Sequence, residues 1–240
     1  LGIDLGEPYI ATNPRDHLNS ICSFNRNGLY YTLDGFNWVR NIPSFSGYSI
    51  LGDPVMTFDS LGNCLYALLY QNGITYGTVI MKSTNKGINW IGPYDVFNTT
   101  IGLVDKEWIA ADQTGGPYSN NVYLGWRQYG ATGMRFVRST NGGVNWSSPL
   151  SFTGVQDAYI SIGPNGNIQG GSVYFSATTS NSILVTRSTD GGISFSAQVP
   201  AANLSPPGIP CAGRRTVKDC IRMNYIPSMA VDNSYTSTRG

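Results

Sequence analysis

Histidine, charged residues and cysteine are all scarce in this sequence. His17 is the only histidine and lies in a predicted loop, so a Ser-His-Asp or Cys-His catalytic scheme is excluded from this stretch. Charged residues make up only 12% of the chain, and 15 basic against 14 acidic side chains argue against nucleic acid or an anionic membrane as the main partner. No apolar run approaches the roughly 20 residues that cross a bilayer, so we predict no membrane span. There is no CxxC or His-rich spacing, and we expect neither a metal nor a cofactor.

The four cysteines fall into two groups. Cys211 and Cys220 bracket a polar loop, and in an extracellular setting we predict a local disulfide between them. Cys22 and Cys64 fall in predicted strands, where a free buried thiol serves as a small apolar residue.

Composition favours one all-β domain that is secreted or displayed on a cell surface. A length of 240 residues with 41% hydrophobic and 12% aromatic residues supplies a substantial core. The surface is then built largely from Asn, Ser, Thr and Gly, and no helical periodicity stands out. We therefore predict a single domain over residues 1–240.

One eight-residue segment recurs along the chain. It reads STNGGVNW at 139–146, STNKGINW at 83–90 and STDGGISF at 188–195, and a shorter copy, TLDGFNW, lies at 32–38. The Asp or Asn can accept hydrogen bonds from amides further along, the Gly supplies a positive φ, and the aromatic residue anchors the next strand. An apolar strand precedes each full copy, so the segment is predicted to be the turn of a β-hairpin. The copies start 51, 56 and 49 residues apart, which is room for four short strands each.

These segments resemble the Asp-box (BNR) repeat of sialidase-like β-propellers. The resemblance implies an all-β propeller of four-stranded antiparallel blades, each with an Asp-box hairpin turn. It also implies a structural role for the residues that define the turns: Asp34, Ser83, Asn85, Gly87, Trp90, Ser139, Asn141, Gly143, Trp146, Ser188, Asp190, Gly192 and Phe195.

The order of strands predicts an incomplete propeller. Comparable small and apolar segments at 7–13, 53–59, 107–112, 158–162 and 227–232 are predicted to be the innermost strands of successive blades. The chain then holds about four blades plus one strand, and we expect other domains or chains to complete the propeller. Residues 201–225 do not fit the repeat, and we predict that they form an insertion between blades that carries Arg214, Arg215 and Arg222. This insertion is either functional or a spacer closed by the disulfide.

In sialidases the Asp boxes lie opposite the active site, which places the candidate site where the inner strands begin. Four acids, Glu7, Asp53, Asp105 and Asp157, occur there at spacings of 46, 52 and 52 residues and would ring the channel mouth. They are either caps of local amides or a site for a cation or polyol. Our candidate ligand-binding residues, which add a cation and an aromatic residue expected in one exposed loop, are Asp53, Asp105, Lys106, Asp157, Arg127 and Tyr129.

The sialidase signature is mostly missing. The usual Arg-Ile-Pro motif near the first blade is absent, Arg15 follows the wrong end of its strand, and the chain has only two glutamates, Glu7 and Glu107. We therefore predict a glycan-binding or structural, adhesive module, whose partner is a carbohydrate or a cell-surface glycoprotein. The alternative is an exo-glycosidase of the sialidase type whose catalytic residues lie largely outside this stretch.

Overall fold

The computed structural model describes residues 6–26, 28–131, 133–205, 208–211, 214–218, 220–222 and 227–234. Within those ranges the protein is built from β-strands and turns, and none of them forms a helix able to cross a membrane. Four antiparallel sheets of four strands follow one another along the chain, and within each sheet the strands keep their sequence order. The predicted all-β architecture of four-stranded antiparallel blades is confirmed.

The four sheets are numbered as blades 1 to 4. Blade 1 holds β1 (Tyr9–Asn13), β2 (Asp16–Phe24), β3 (Gly28–Thr32) and β4 (Trp38–Arg40); blade 2 holds β5 (Ile50–Phe58), β6 (Cys64–Asn72), β7 (Thr75–Ser83) and β8 (Ile91–Thr99). Blade 3 holds β9 (Val104–Ala111), β10 (Val122–Gln128), β11 (Met134–Ser139) and β12 (Leu150–Phe152); blade 4 holds β13 (Gln156–Asn165), β14 (Ile168–Thr178), β15 (Ser182–Ser188) and β16 (Val199–Asn203). The first strands of successive blades contact one another, so β1, β5, β9 and β13 are the inner strands around a common axis.

The core lies between the blades rather than within one sheet. Leu65 of blade 2 and Trp126 of blade 3 belong to one buried cluster, and Phe136 of blade 3 packs on Phe175 of blade 4 in the next. Strand β6 is buried along most of its length, as expected for a strand covered on both faces. In β1, Tyr9 and Ala11 pack against the cluster that blade 2 shares with blade 1, whereas Ile10 between them is 61% exposed.

The four repeated segments form equivalent turns between the third and fourth strands. In blade 3, Ser139 Oγ donates to Asn141 Oδ1 and accepts from the amide of Gly143, both at 2.9 Å, and Asn141 Oδ1 accepts from the amide of Asn145 at 2.9 Å. The other copies repeat this scheme around Thr32, Ser83 and Ser188. Because β9 to β11 pair antiparallel, with Ser139 opposite Val122 and Val122 opposite Ala111, each turn lies at the far end of its blade from the start of the inner strand.

The predicted insertion between blades contains a small sheet of its own. Residues 201–203 belong to β16 of blade 4, and beyond them β17 (Ile209–Cys211), β18 (Arg214–Val217) and β19 (Ile221–Arg222) form a three-stranded sheet. A disulfide joins Cys211 to Cys220, whose Cα atoms are 5.8 Å apart, whereas Cys64 is buried and Cys22 half-buried as free thiols. The side chains of Arg214, Arg215 and Arg222 lie outside the described residues.

The fifth inner strand predicted at 227–232 is not a strand in the structure. Residues 227–234 have no regular secondary structure, although they lie beside β13 of blade 4. They are tied to it through side chains: Ser161 Oγ donates to the carbonyl of Met229 at 2.8 Å, and Asn233 Nδ2 donates to the carbonyl of Ile162 at 3.0 Å. The described residues 227–234 therefore form no backbone ladder with blade 4.

Candidate functional site

Four residues in left-handed backbone conformation mark the start of the inner strands. They are Glu7, Asp53, Lys106 and Asp157, with φ of 53°, 54°, 49° and 65°, and we call them the ring residues. In blades 2, 3 and 4 the strand pairing shifts register at these positions, so each ring residue there lies in a β-bulge. Such a conformation costs on the order of 1–3 kcal/mol for a residue other than glycine, and both it and bulges concentrate at functional sites.

The predicted ring of four acids is wrong at one position. In blade 3 the left-handed residue is Lys106, and Asp105, which pairs with Arg127 of β10, precedes it. The register of β9 on β10 shifts between Gly125 and Arg127, and this bulge places the lysine at the equivalent of Asp53. The ring is therefore three acids and one base.

Lys106 holds two of the ring acids together. Its ammonium group donates to Glu7 Oε1 and lies 3.5 Å from Asp53 Oδ2. Burial, and then hydrogen bonding to Glu7, raises the pKa of Asp53 to about 7. Burial also acts to raise the pKa of Glu7, but hydrogen bonds with Asp53 and Lys106 outweigh it, and the pKa of Glu7 is lowered. Asp53 therefore keeps its proton to a much higher pH than Glu7 does.

Asp157, the fourth ring residue, is buried and turned toward its own blade. Its side chain is 5% exposed, and Oδ2 accepts a hydrogen bond from Thr178 Oγ1 at 3.1 Å. This contact ties the start of β13 to the end of β14. Asp157 therefore secures its bulge while still lining the space between the inner strands.

A cavity of about 350 Å³ opens between the starts of the inner strands. Tyr9 and Trp108 form its apolar wall, with ring centroids 5.5 Å apart, and Trp108 stacks on Tyr159 at 4.0 Å. The same two residues also line a second cavity of about 430 Å³ further along the strands. The first cavity is lined by Glu7, Pro8, Tyr9, Asp53, Pro54, Val55, Lys106, Glu107, Trp108, Asp157 and Ala158.

The aromatic wall was not predicted, although the sequence carries a signal for it. Tyr9, Trp108 and Tyr159 each follow a ring residue by two positions, and Val55 takes that place in blade 2. An alignment of the four strand starts on the left-handed residue brings these side chains into register. That alignment depends on the bulge in blade 3, which the sequence alone did not indicate.

Asp105, Arg127 and Tyr129 form a polar cluster beside the cavity rather than within it. The Tyr129 hydroxyl lies 3.2 Å from Asp105 Oδ2 and from Gln156 Oε1, and the Arg127 guanidinium lies 5.1 Å from the centre of the Tyr129 ring. Tyr129 is 37% exposed, and burial followed by the charge of Asp105 raises its pKa. We call these residues with Gln156 the rim cluster.

Arg127 was expected in an exposed loop beyond a strand at 122–126, and that placement is wrong. Strand β10 extends to Gln128, so Arg127 lies within it, and its Nη1 donates to the carbonyl of Gly154 at 2.8 Å. Gly154 lies in the segment between β12 and β13, which makes Arg127 a link between blades 3 and 4. Arg127 therefore contributes to the fold as well as to the surface of the candidate site.

The described residues offer no group of three or more His, Cys, Asp or Glu side chains that could hold a metal ion. What the ring offers instead is a set of hydrogen-bonding groups above an aromatic wall. Carboxylates accept hydrogen bonds from hydroxyl groups, and aromatic faces cover the apolar side of a sugar ring. The arrangement suits a polyhydroxylated ligand.

Solved structures of similar fold include a sialidase, a trans-sialidase and an arabinanase. The chain aligns with a Hadza microbial sialidase at a TM-score of 0.57 and 12% identity, over 82% of this chain and 45% of that one. It aligns with the leech intramolecular trans-sialidase, complexed with 2,7-anhydro-Neu5Ac, at 0.58 and 12%, over 82% and 50%. It also aligns with a Penicillium chrysogenum α-L-arabinanase, complexed with arabinobiose, at 0.57 and 13%, over 89% and 69%.

The chain has a sialidase-like β-propeller fold. It spans about half the length of the Hadza microbial sialidase and of the leech trans-sialidase. No protein-family model matches the sequence, and the comparison with curated proteins finds no match. At 12–13% identity the likeness establishes the fold alone.

Proposed function

We propose that this propeller is an extracellular or cell-surface module that binds a glycan in the cavity bounded by the ring residues. The observation that carries the proposal is the cavity itself, where carboxyl groups and a lysine face an aromatic wall formed by Tyr9 and Trp108. Its volume of about 350 Å³ falls within the roughly 300–1,000 Å³ of small-ligand sites. The disulfide between Cys211 and Cys220 supports an oxidising, extracellular location.

The predicted binding residues take two places in this proposal. Asp53, Lys106 and Asp157 line the cavity and would contact the bound sugar unit directly. Asp105, Arg127 and Tyr129 of the rim cluster would meet the next unit of a longer glycan, because Asp105 adjoins Lys106 in the chain. The two groups together suit an oligosaccharide that enters from the end of the propeller where the inner strands begin.

The test compares two acidic residues at opposite ends of the propeller. Asp53→Asn removes a carboxylate from the cavity, and Asp190→Asn removes one from the turn of blade 4, where Asp190 Oδ1 accepts from the amide of Ser194 at 3.0 Å. On a glycan array followed by calorimetry, Asp53→Asn should weaken binding about 10-fold or more, the equivalent of one charge-assisted hydrogen bond of roughly 1.5–3 kcal/mol. Asp190→Asn should leave affinity unchanged, and the fold should tolerate it, because Asn141 accepts the equivalent hydrogen bond in the turn of blade 3. An array that retains no glycan, or equal affinity in the wild type and Asp53→Asn, would refute the proposal.

Hydrolysis is a second candidate function, because solved structures of similar fold include a sialidase and an arabinanase. Glu7 and Asp53 do not supply its two catalytic carboxyl groups, because they are hydrogen-bonded to each other, whereas those of a glycosidase lie about 5 Å or more apart. The catalytic residues of such an enzyme would then lie largely outside this stretch. Fluorogenic glycosides test the idea on the wild-type protein, and glycan binding without cleavage would leave binding as the function.

A further inference from the structure

Glu107 is a buried carboxyl group that the fold itself does not use. It is 3% exposed, it lines the cavity, and neither carboxyl oxygen accepts a hydrogen bond from another described residue. The one backbone contact that acts on its pKa comes from the amide of Glu107 itself. The residues that follow the ring position in the other blades are Pro8, Pro54 and Ala158. Because these side chains carry no polar group, the start of an inner strand has no structural need for a carboxyl at this position.

An unpartnered buried carboxyl destabilises a protein, so its presence at a cavity points to a ligand that completes it. Burial, and then the charge of Asp53, raises the pKa of Glu107 well above its ordinary value. A neutral carboxyl group can both donate and accept a hydrogen bond. A sugar hydroxyl can do both as well, and it matches this group without bringing a charge into the buried site.

The one basic side chain among the described residues lining this cavity is already engaged. Lys106 donates to Glu7 and lies 3.5 Å from Asp53, and no arginine is found among those lining residues. A carboxylate on a ligand would therefore meet acidic neighbours without a free cation to pair with. Bringing it into the cavity would leave an unpaired buried charge, which is strongly unfavourable.

We infer that this cavity selects a neutral, hydroxyl-bearing sugar unit over an acidic one, with Glu107 as the hydrogen-bonding residue at its base. This inference rests on the proposed glycan-binding function and specifies its ligand class. Glu107 was not among the binding residues predicted from the sequence. The ring residues and the aromatic wall hold the sugar, and Glu107 with the engaged Lys106 sets the preference for neutral over acidic sugars.

The first experiment uses matched pairs of oligosaccharides that differ in charge, such as galactobiose and digalacturonic acid, with calorimetry on the full chain. The neutral member of a pair should bind at least about tenfold more tightly. Equal or tighter binding of the acidic member, in competition with the neutral one, would overturn the inference and leave glycan binding intact. Failure of every neutral and acidic glycan to bind would refute the proposed function itself and the inference with it.

The second experiment replaces Glu107 in two ways. Glu107→Ala copies the residue found at the same position of blade 4, so the fold should tolerate it, and it should weaken binding of the neutral sugar roughly tenfold. Glu107→Gln keeps a neutral group that donates and accepts, and it should retain affinity to within about threefold. As a control, Ser176→Ala removes another buried, unpartnered polar group, one away from this cavity, and affinity should not change. Unchanged binding in Glu107→Ala, or equal loss in the Ala and Gln variants, would overturn the role given to Glu107.

Discussion

The glycine at the fifth position of each full copy of the repeated turn should fix the spacing between neighbouring blades. In blade 3 this residue is Gly143, with φ of +90°, and a Cβ added there would lie 2.6 Å from Ile80 Cδ1 and 2.7 Å from Leu65 Cδ2. Both of those side chains are fully buried in blade 2. Gly143→Ala therefore forces a strained backbone conformation and overpacks the contact between two blades at the same time.

The expected loss can be separated into two parts. A positive φ costs an L-residue about 1–2 kcal/mol, and overpacking a tight core costs a further 1–3 kcal/mol or so. Gly143→Ala should thus lower the free energy of unfolding by about 2–5 kcal/mol. Gly166 supplies the matched control, because its φ is +57° and an added Cβ would meet nothing within 4 Å. Gly166→Ala should lose only the backbone part, about 1–2 kcal/mol.

The same contact in the other blades gives an ordered series. A Cβ at Gly87 would lie 2.9 Å from Ile21 Cδ1 of blade 1, and one at Gly192 would lie 3.0 Å from Tyr123 Cε1 of blade 3. Urea unfolding followed by tryptophan fluorescence should therefore rank the alanine variants with Gly143 most destabilised, then Gly87, then Gly192. Equal losses in Gly143→Ala and Gly166→Ala would show that packing between blades contributes nothing, and the reasoning would fail.

Two further predictions concern titration and thiol reactivity. The raised pKa of Asp53, about 7 in the folded protein against 3.8, gives stability that is fully present below the ordinary value and is lost as pH rises through about 7. Asp53→Asn should therefore flatten the fall in melting temperature between about pH 4 and pH 7, and parallel curves for variant and wild type would contradict this. In the native protein a thiol reagent should modify half-buried Cys22 before Cys64, which is buried and whose thiol pKa burial raises; labelling of Cys64 without unfolding would be the contrary result.

The repeated turns and the blades could be predicted from sequence because their determinants are local. Ser139, Asn141 and Gly143 bond to one another within one turn, so the eight-residue pattern itself encodes the conformation. The spacing between copies then gave the number of strands in each blade. Pairing of Cys211 with Cys220 is also local, since nine positions separate the two residues.

The candidate site depended on contacts that no local pattern records. The choice of Lys106 over Asp105 as ring residue follows from a bulge that forms against β10, about 20 residues further along the chain. The stack of Trp108 on Tyr159 joins two blades, and so does the hydrogen bond from Arg127 to Gly154. Arg127 therefore looked like a free loop residue in the sequence although the structure gives it a structural partner.

Polar residues at the two ends of a blade differ in how fully their hydrogen-bonding groups are satisfied. At the turn end, burial acts to raise the pKa of Asp190, but hydrogen bonds from the Ser194 hydroxyl and then from the amides of Ser194 and Ile193 hold it down to about 2. Where the inner strands begin, Lys106 and Asp53 are in left-handed conformations, and Glu107 is buried without a partner. Satisfied groups stabilise the native state by themselves, whereas the carboxyl of Glu107 gains a hydrogen bond from another group only when a ligand supplies it. A ligand should therefore raise the melting temperature chiefly by completing this end of the propeller, because the turn end has little left to gain.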